Sequence, residues 1–336
     1  MANGQTPDKI TCGGGCPLRG CTAFSTIKHR VSLTQLFVII DLINMKIIIS
    51  IPAYNEERTL PKILTEIKQV MNKQDYNYSI LVYNDGSTDK TVEAARNCGA
   101  IVVSHKRNLG LAQTFRDEMK ECLKLKADII VHTDADGQYH SQHIPELIEK
   151  VKSGYDLVLG SRFRGKIQAM PILKRLGNIA FSYVLSSLTK VKVTDTTTGF
   201  RGFTAEVASD INYINTFTYT QEQIIKAAKQ GFKITEIPII ARKTRASRLF
   251  KNPWQYALKA WINIFRIYRD YEPLMFFGKV GASFFSVGVL LGSWLVYRFL
   301  TLGYVGRTPS VILSLLLILM GIQIVLFGFL ADMMRK

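Results

Sequence analysis

Two runs of residues without a single charged side chain, Val280–Tyr297 and Val311–Leu330, dominate the C-terminal end of this 336-residue chain. They hold 18 and 20 residues, and at about 1.5 Å per helical residue each reaches across a hydrocarbon layer of about 30 Å. The link between them, Arg298–Ser310, carries only Arg298 and Arg307 as charges. Two helices joined so briefly fold back on each other, with both ends on one side of a membrane. Arg266, Arg269 and Lys279 precede the pair, and Arg335 and Lys336 follow it. The positive-inside rule therefore assigns both ends to the cytoplasmic face. Two buried helices of a soluble core are the alternative; an integral membrane hairpin is the expectation.

The remainder of the chain has a different character. Hydrophobic residues make up 47% of the whole, too many for a disordered chain. A mean hydropathy of +0.10 fits a soluble body carrying a small membrane part. Lysine and arginine number 43 against 26 acids, a formal charge of +17. Such a balance implies an anionic partner, whether nucleic acid, a phospholipid surface or a phosphorylated substrate. Residues 1–44 read as an N-terminal extension outside the catalytic fold. Cys12, Cys16 and Cys21 lie there at a spacing that matches no common metal or cluster pattern. The apolar run Val31–Ile43 is interrupted by Asp41, too short to span, and lacks a small-residue cleavage site. Translation from Met45 is compatible with this reading, and Cys98 and Cys122 read as reduced thiols.

From Met45 onward strands and helices alternate. Ile47–Ile51 is a continuous apolar run, as expected of a strand buried on both faces. Leu60, Ile63, Leu64, Ile67 and Val70 recur at helical spacing within a helix expected over Glu56–Met71. Strands follow at Ser79–Tyr83, Ile101–Ser104, Asp128–Thr133 and Asp156–Gly160, with helices at Thr88–Asn97, Leu109–Leu125 and Ser141–Lys152. Such regular alternation predicts an α/β fold with a doubly wound, mostly parallel sheet, whose ligands sit at the carboxyl ends of the strands.

Three of those ends are rich in polar groups: Pro52–Glu56, Asn84–Asp89 and Asp134–Gln138. No G-x-G-x-x-G follows the first strand and no G-x-x-x-x-G-K-[ST] occurs, which disfavours a nicotinamide dehydrogenase or a P-loop NTPase. Carboxylates stand where a glycine loop would be. Asp134 and Asp136 leave a strand two residues apart, so both side chains face one side. Two like charges held together repel unless a cation or proton lies between them. Their hard oxygens suit Mg2+ or Mn2+, with Gln138 able to add an amide oxygen and substrate phosphates to complete the shell. A turn in which the aspartates merely cap the next helix is the bland alternative.

Ile51–Glu56, Asn84–Asp89, Arg107–Gly110, Asp134–Gln138, Gly160–Arg162 and Thr198–Arg201 occur in one order and at one spacing. Together they resemble the family 2 glycosyltransferases of GT-A fold, in particular dolichyl-phosphate mannose synthases and related polyprenyl-phosphate glycosyltransferases. The likeness extends over about Met45 to Tyr271. It implies that Pro52, Tyr54, Glu56 and Asp85 hold the base and ribose of a nucleotide-sugar, and that Arg107 and Asn108 close that pocket. By the same likeness Asp134, Asp136 and Gln138 would bind the metal that bridges the diphosphate. Arg162, Arg175 and Arg201 would face the phosphate of the lipid. Asp136, Arg162 and Arg201 are then the residues expected to carry catalysis. The reaction implied is inverting, metal-dependent transfer from GDP-mannose or a UDP-hexose to a polyprenyl monophosphate at the cytoplasmic membrane face. His132, His140 and His143 have no required role in it and read as packing or surface residues.

Residues 241–272 connect this 45–240 catalytic domain to the 273–336 hairpin and tail. Arg242, Lys243, Arg245, Arg248 and Lys251 form a basic stretch without an acid, attractive to anionic membrane lipids. Trp254, Leu258, Trp261, Ile262, Phe265 and Tyr268 then recur at helical spacing, as in an amphipathic helix lying at the interface. A processive polysaccharide synthase is disfavoured, because no Q-x-x-R-W follows the sheet. A glycosyltransferase acting on a lipid or glycan hydroxyl is the nearest rival. A basic membrane-bound scaffold would leave the acidic strand ends without purpose. Nucleic acid is not an expected partner, and a homo-oligomer is compatible with the pattern.

Overall fold

The structure is a computed structural model and describes residues 45–167, 172–210, 219–242, 262, 265–266, 269, 271–304 and 308–334. Its elements run β1 (Lys46–Ala53), α1 (Leu60–Met71), β2 (Asn77–Asn84), α2 (Thr91–Asn97), β3 (Ile101–Ser104), α3 (Leu111–Lys124) and β4 (Ile129–His132). Next come α4 (Ile144–Lys152), β5 (Leu157–Ile167), α5 (Ile172–Thr189), β6 (Arg201–Thr204), α6 (Ala205–Asp210), α7 (Tyr219–Lys229) and β7 (Ile234–Ala241). Two long helices, α8 (Pro273–Leu302) and α9 (Thr308–Met333), follow. The strands form one sheet in the order β3-β2-β1-β4-β6-β5-β7. Every neighbouring pair is parallel except those of β6, which is antiparallel to β4 and β5.

The apolar run at β1 reads as continuous because the strand is covered on both faces. Ile47, Ile49 and Ile51 pack with Leu60, Leu64 and Ile67 of α1 and with Leu147 and Ile148 of α4. Ile48 belongs to the opposite cluster, with Phe115 and Met119 of α3, Phe181 of α5 and Ile224 of α7. Residues two apart share a face, and burying each such side chain contributes about 1.5–3 kcal/mol. The result is the expected doubly wound, mostly parallel α/β sheet.

Two boundaries differ from the sequence expectation by four residues or more, and strand β6 lies outside it, each for a local reason. Helix α1 begins at Leu60 rather than Glu56, because the amides of Thr59 and Leu60 both donate to the Glu56 carbonyl and close a turn first. Strand β5 continues past Gly160 to Ile167, since a bulge between Ser161 and Lys166 lets it go on pairing with β7. Strand β6 has only four residues and begins with an arginine, so no apolar run marks it.

Helices α8 and α9 are long and apolar enough to cross a membrane, with mean hydropathies of 1.8 and 2.7. They pair antiparallel through small residues spaced by heptads: Gly281 and Gly288 on α8, and Ser314, Gly321 and Gly328 on α9, are buried. Leu290 and Phe327 on the outside are mostly exposed. The Ser314 hydroxyl donates to the Gly288 carbonyl at 2.9 Å across the pair. A Cβ on Gly321 would stand 2.6 Å from the Phe285 amide nitrogen and 2.7 Å from the Gly281 oxygen. The two backbones therefore touch, as in membrane helix pairs built on small residues. Gly321→Leu should force the helices apart, so hairpin helicity should be lost at lower SDS while thermal unfolding of the body stays unchanged. An SDS midpoint equal to wild type would show that this contact does not hold the pair.

The basic and aromatic segment expected at the membrane surface lies mostly outside the described residues, as do residues 1–44 with Cys12, Cys16 and Cys21. Within that segment Ile262 and Phe265 are exposed helical residues, and Phe265 meets Phe276 of α8 edge-to-face, with ring centroids 5.8 Å apart.

Candidate active site

Parallel strands β1, β2 and β4 end at one edge of the sheet, which gathers their polar termini. The loops after β1 and β2 are laced together by side chains. The Asn55 amide donates to the Ser87 hydroxyl at 2.9 Å, and the Thr88 amide donates back to the Asn55 side-chain oxygen at 2.9 Å. The Glu56 amide donates to the Thr91 hydroxyl at 2.8 Å, and the Glu57 amide to an Asp89 oxygen at 3.2 Å. Amides left over by the end of a parallel strand thus find partners on the neighbouring loop. Pro52 and Glu56 are buried, whereas Tyr54 is 40% exposed at the rim.

Asp85 is buried beneath the loop of Arg107 and Asn108. Its two carboxylate oxygens accept from the Leu109 and Gly110 amides, each at 2.9 Å, and His105 Nδ1 lies 2.9 Å from the first oxygen. The other ring nitrogen of His105 meets Asp117 at 3.2 Å. Asp85 thereby fixes the loop that presents Arg107 and Asn108, both exposed, over the strand ends. Gly86 allows this stacking, because a Cβ there would stand 2.4 Å from the Arg107 carbonyl carbon.

Asp134 and Asp136 lie just beyond β4, both half-buried. The Asp136 carboxylate accepts from the Gln138 amide at 2.9 Å, closing the turn. Asp134 is differently placed. It is closely surrounded, and among the described residues no hydrogen bond reaches its carboxylate. Burial, then the like charge of Asp136, pushes its pKa up to about 6, against the opposing fields of His132, Arg162 and Arg201. A crowded carboxylate without a donor, beside a second carboxylate, fits a hard divalent cation. No group of three or more His, Cys, Asp or Glu side chains suited to a metal occurs among the described residues. Further oxygens would come from Gln138, which is half-buried on the same turn, and from water or substrate.

The arginines expected at the acceptor occupy three distinct settings. Arg162 is buried and grips Asp195 with two parallel bonds, Nε to Oδ2 at 2.7 Å and Nη2 to Oδ1 at 2.9 Å, while Nη2 also reaches Thr197 at 2.8 Å. Asn178 of α5 donates to the same Asp195 at 2.9 Å. Arg162 holds the Asp195 carboxyl below its ordinary range despite burial, and the arginine's own pKa is raised. Arg201 is wholly buried, its guanidinium donating to Gln223 at 2.7 Å, to the Thr220 carbonyl at 3.2 Å and to the Thr198 carbonyl. Both guanidiniums bind elements of the fold itself, and their positive charge acts on Asp134. Arg175, in the first turns of α5, is exposed.

Several residues of this network carry no signal in the sequence. Asp195 pairs with Arg162 across 33 residues. Tyr139 accepts from the Gly199 amide at 3.1 Å and stacks on Phe200. His132 is buried against Glu118 at 3.2 Å and Phe115, a packing residue as expected. His140 faces Arg242, whose Nη2 lies 2.8 Å from His140 Nδ1 and whose Nη1 donates to Glu66 at 3.0 Å. His143 accepts from the Ile240 amide at 3.2 Å. These contacts tie the turn after β4 to the end of β7.

Comparison with known proteins identifies the family and the fold. Residues 48–211 match the Glycosyl transferase family 2 domain. A dolichyl-phosphate hexose transferase of Haloferax volcanii is 34% identical over 193 residues, covering 56% of this chain and 80% of that protein. A dolichol-phosphate mannosyltransferase of Pyrococcus furiosus is 28% identical over 81% of this chain and 78% of its own length. Among solved structures, glucosyl-3-phosphoglycerate synthase of Mycobacterium tuberculosis, in complex with Mn2+, UDP and glucosyl-3-phosphoglycerate, superposes with a TM-score of 0.54. It covers 68% of this chain and 82% of its own at 19% identity, a likeness of fold.

Proposed function

The chain belongs to the family 2 glycosyltransferases, and from that premise we propose that it transfers a sugar from a nucleotide-sugar to a polyprenyl, dolichyl-type monophosphate at the cytoplasmic face of a membrane. GDP-mannose and UDP-hexoses are the donors in view. The observation that carries the reading is the Asp134–Asp136 pair at the strand ends, on a chain with a hairpin fit for a membrane. The names of these two relatives, dolichyl-phosphate hexose transferase and dolichol-phosphate mannosyltransferase, support the lipid phosphate as acceptor.

In this reading Pro52, Tyr54 and Glu56 line the nucleoside end of the donor. Asp85 holds Arg107 and Asn108 over it, and those two side chains close the pocket. Asp134, Asp136 and Gln138 hold Mg2+ or Mn2+, which when bound neutralises the diphosphate leaving group as a Lewis acid. The acceptor phosphate is already anionic near neutral pH, so the chain needs no general base. Its task is to bring two anions into line across the anomeric carbon and to exclude water. A single displacement inverts that carbon. Exposed Arg175 is the arginine proposed to meet the lipid phosphate directly. Arg162 and Arg201 act as buried positive charges on Asp134 and as anchors of the 195–201 segment.

Polyprenyl monophosphate and the corresponding polyprenol, each offered with a panel of nucleotide-sugars, test the acceptor. Product is expected with the phosphate alone. Equal transfer to the alcohol would replace this reading with a hydroxyl-directed glycosyltransferase.

The raised pKa of Asp134 gives the cation a pH dependence. A proton held up to about pH 6 competes with the metal, so Mn2+ affinity should fall about tenfold per pH unit below that value and level off above it. In the metal-free protein the pH dependence of stability runs the opposite way. The unfolded chain gives up this proton first, so stability declines as pH rises from the ordinary carboxylate range to about 6. Mn2+ titrations on either side of that pH check the first statement; an affinity independent of pH would contradict it.

A further inference from the structure

We infer that Gly199 is a positioning residue of the cation site, seating the Asp134 carboxylate by leaving the space a side chain would fill. The inference rests on the cation reading above. Gly199 does not adopt the left-handed backbone that usually demands glycine, and what excludes a larger residue is a neighbour. A Cβ at this position would stand 2.6 Å from Asp134 Oδ2, 2.7 Å from Oδ1 and 2.9 Å from Cγ. Real Cβ atoms do not approach this closely. The three nearest atoms all belong to that one carboxylate.

The contact matters because no hydrogen-bond donor among the described residues aims the group. No hydrogen bond among the described residues reaches the Asp134 carboxylate, so packing orients it, and it occupies the space that a side chain at 199 would take. Gly199 is itself held firmly. The Gly199 amide donates to the Tyr139 hydroxyl at 3.1 Å, and the Tyr139 ring stacks on Phe200 with centroids 5.3 Å apart. Tyr139 also bridges to Ala241 at the end of β7. A methyl group at 199 must therefore turn the carboxylate or shift the backbone beneath it. Outer groups that orient a metal ligand typically change affinity by about 10- to 100-fold when lost.

The test is Mn2+ affinity of the full chain in detergent, read by the paramagnetic resonance of free Mn2+, with no sugar substrate present. Gly199→Ala should bind Mn2+ at least about tenfold more weakly than wild type. Tyr139→Phe keeps the stacked ring, removes the hydroxyl that holds Gly199, and should weaken binding several-fold. It decides the matter if the alanine variant does not fold. Gly202→Ala, which on β6 crowds Leu147 of α4 at 3.1 Å, should lower stability and leave Mn2+ affinity unchanged. Asp136→Ala is the control for the cation site itself. If Asp136→Ala loses Mn2+ while Gly199→Ala and Tyr139→Phe bind as wild type, the seat is refuted and the cation site stands. If Asp136→Ala binds Mn2+ as wild type, the cation site falls and the seat with it.

Discussion

Asp136→Ala should abolish sugar transfer while the protein stays folded and membrane-bound. The side chain is half-buried in a loop, and its carboxylate accepts from the Gln138 amide to close the turn. Its removal costs little packing. It also relieves the like charge on Asp134, which offsets part of the cost of losing the turn-closing bond. What is lost is half of the carboxylate pair proposed for the cation. Charge stabilisation by a metal is worth several kcal/mol, and at about 1.4 kcal/mol per decade that is a loss on the order of a thousandfold. Asp136→Asn, which keeps the acceptor that closes the turn, separates charge from loop geometry and should be nearly as inactive. Activity within about tenfold of wild type in either variant would sink the metal assignment.

The largest expected effect on stability belongs to Arg162. The family resemblance implies that it faces the lipid phosphate, and replacing it would then disturb turnover and little else. In the fold it is buried and clasps Asp195 in a two-pronged pair. Removing one partner of a buried pair leaves the other charged and uncompensated, at a cost of about 3–5 kcal/mol. For a body of this size that corresponds to roughly 6–20 °C in the unfolding midpoint. Arg162→Ala should show such a drop. Adding Asp195→Asn to it should recover part of the loss, since the stranded carboxylate is then gone. A midpoint for Arg162→Ala within about 2 °C of wild type would mean the pair contributes little.

How much of this was legible beforehand depends on range. Elements whose signal is local were readable: the β1 run, the helical spacing of α1, and the uncharged stretches that became α8 and α9. The closeness of Asp134 and Asp136 follows from their near-adjacency in sequence just past a strand end, although both lie beyond β4, in the turn after it, where the alternation of a strand no longer applies. Strand β6 was not readable. It is held by pairing with β4 and β5 on either side, and Arg201 at its start obscures any apolar pattern. The same limit explains the arginines. A basic residue in a motif looks alike whether it faces a phosphate or a buried carboxylate, and only the 33-residue closure from Arg162 to Asp195 tells them apart. Gly199 likewise sits in a recognisable segment, Thr198–Arg201, but its reason lies in a side chain 65 residues earlier that only the folded sheet brings against it.

The most direct measurement is mass spectrometric and stereochemical identification of the lipid product formed by the full chain in detergent, with Mg2+ or Mn2+ and again with EDTA. A lipid carrying one sugar through a single phosphate is expected, with the anomeric configuration inverted relative to the donor. It should form with the metal, vanish with EDTA and return when the metal is restored. Product of retained configuration, sugar linked directly to a lipid hydroxyl, or transfer undiminished by EDTA would each contradict metal-dependent, inverting transfer to a lipid phosphate.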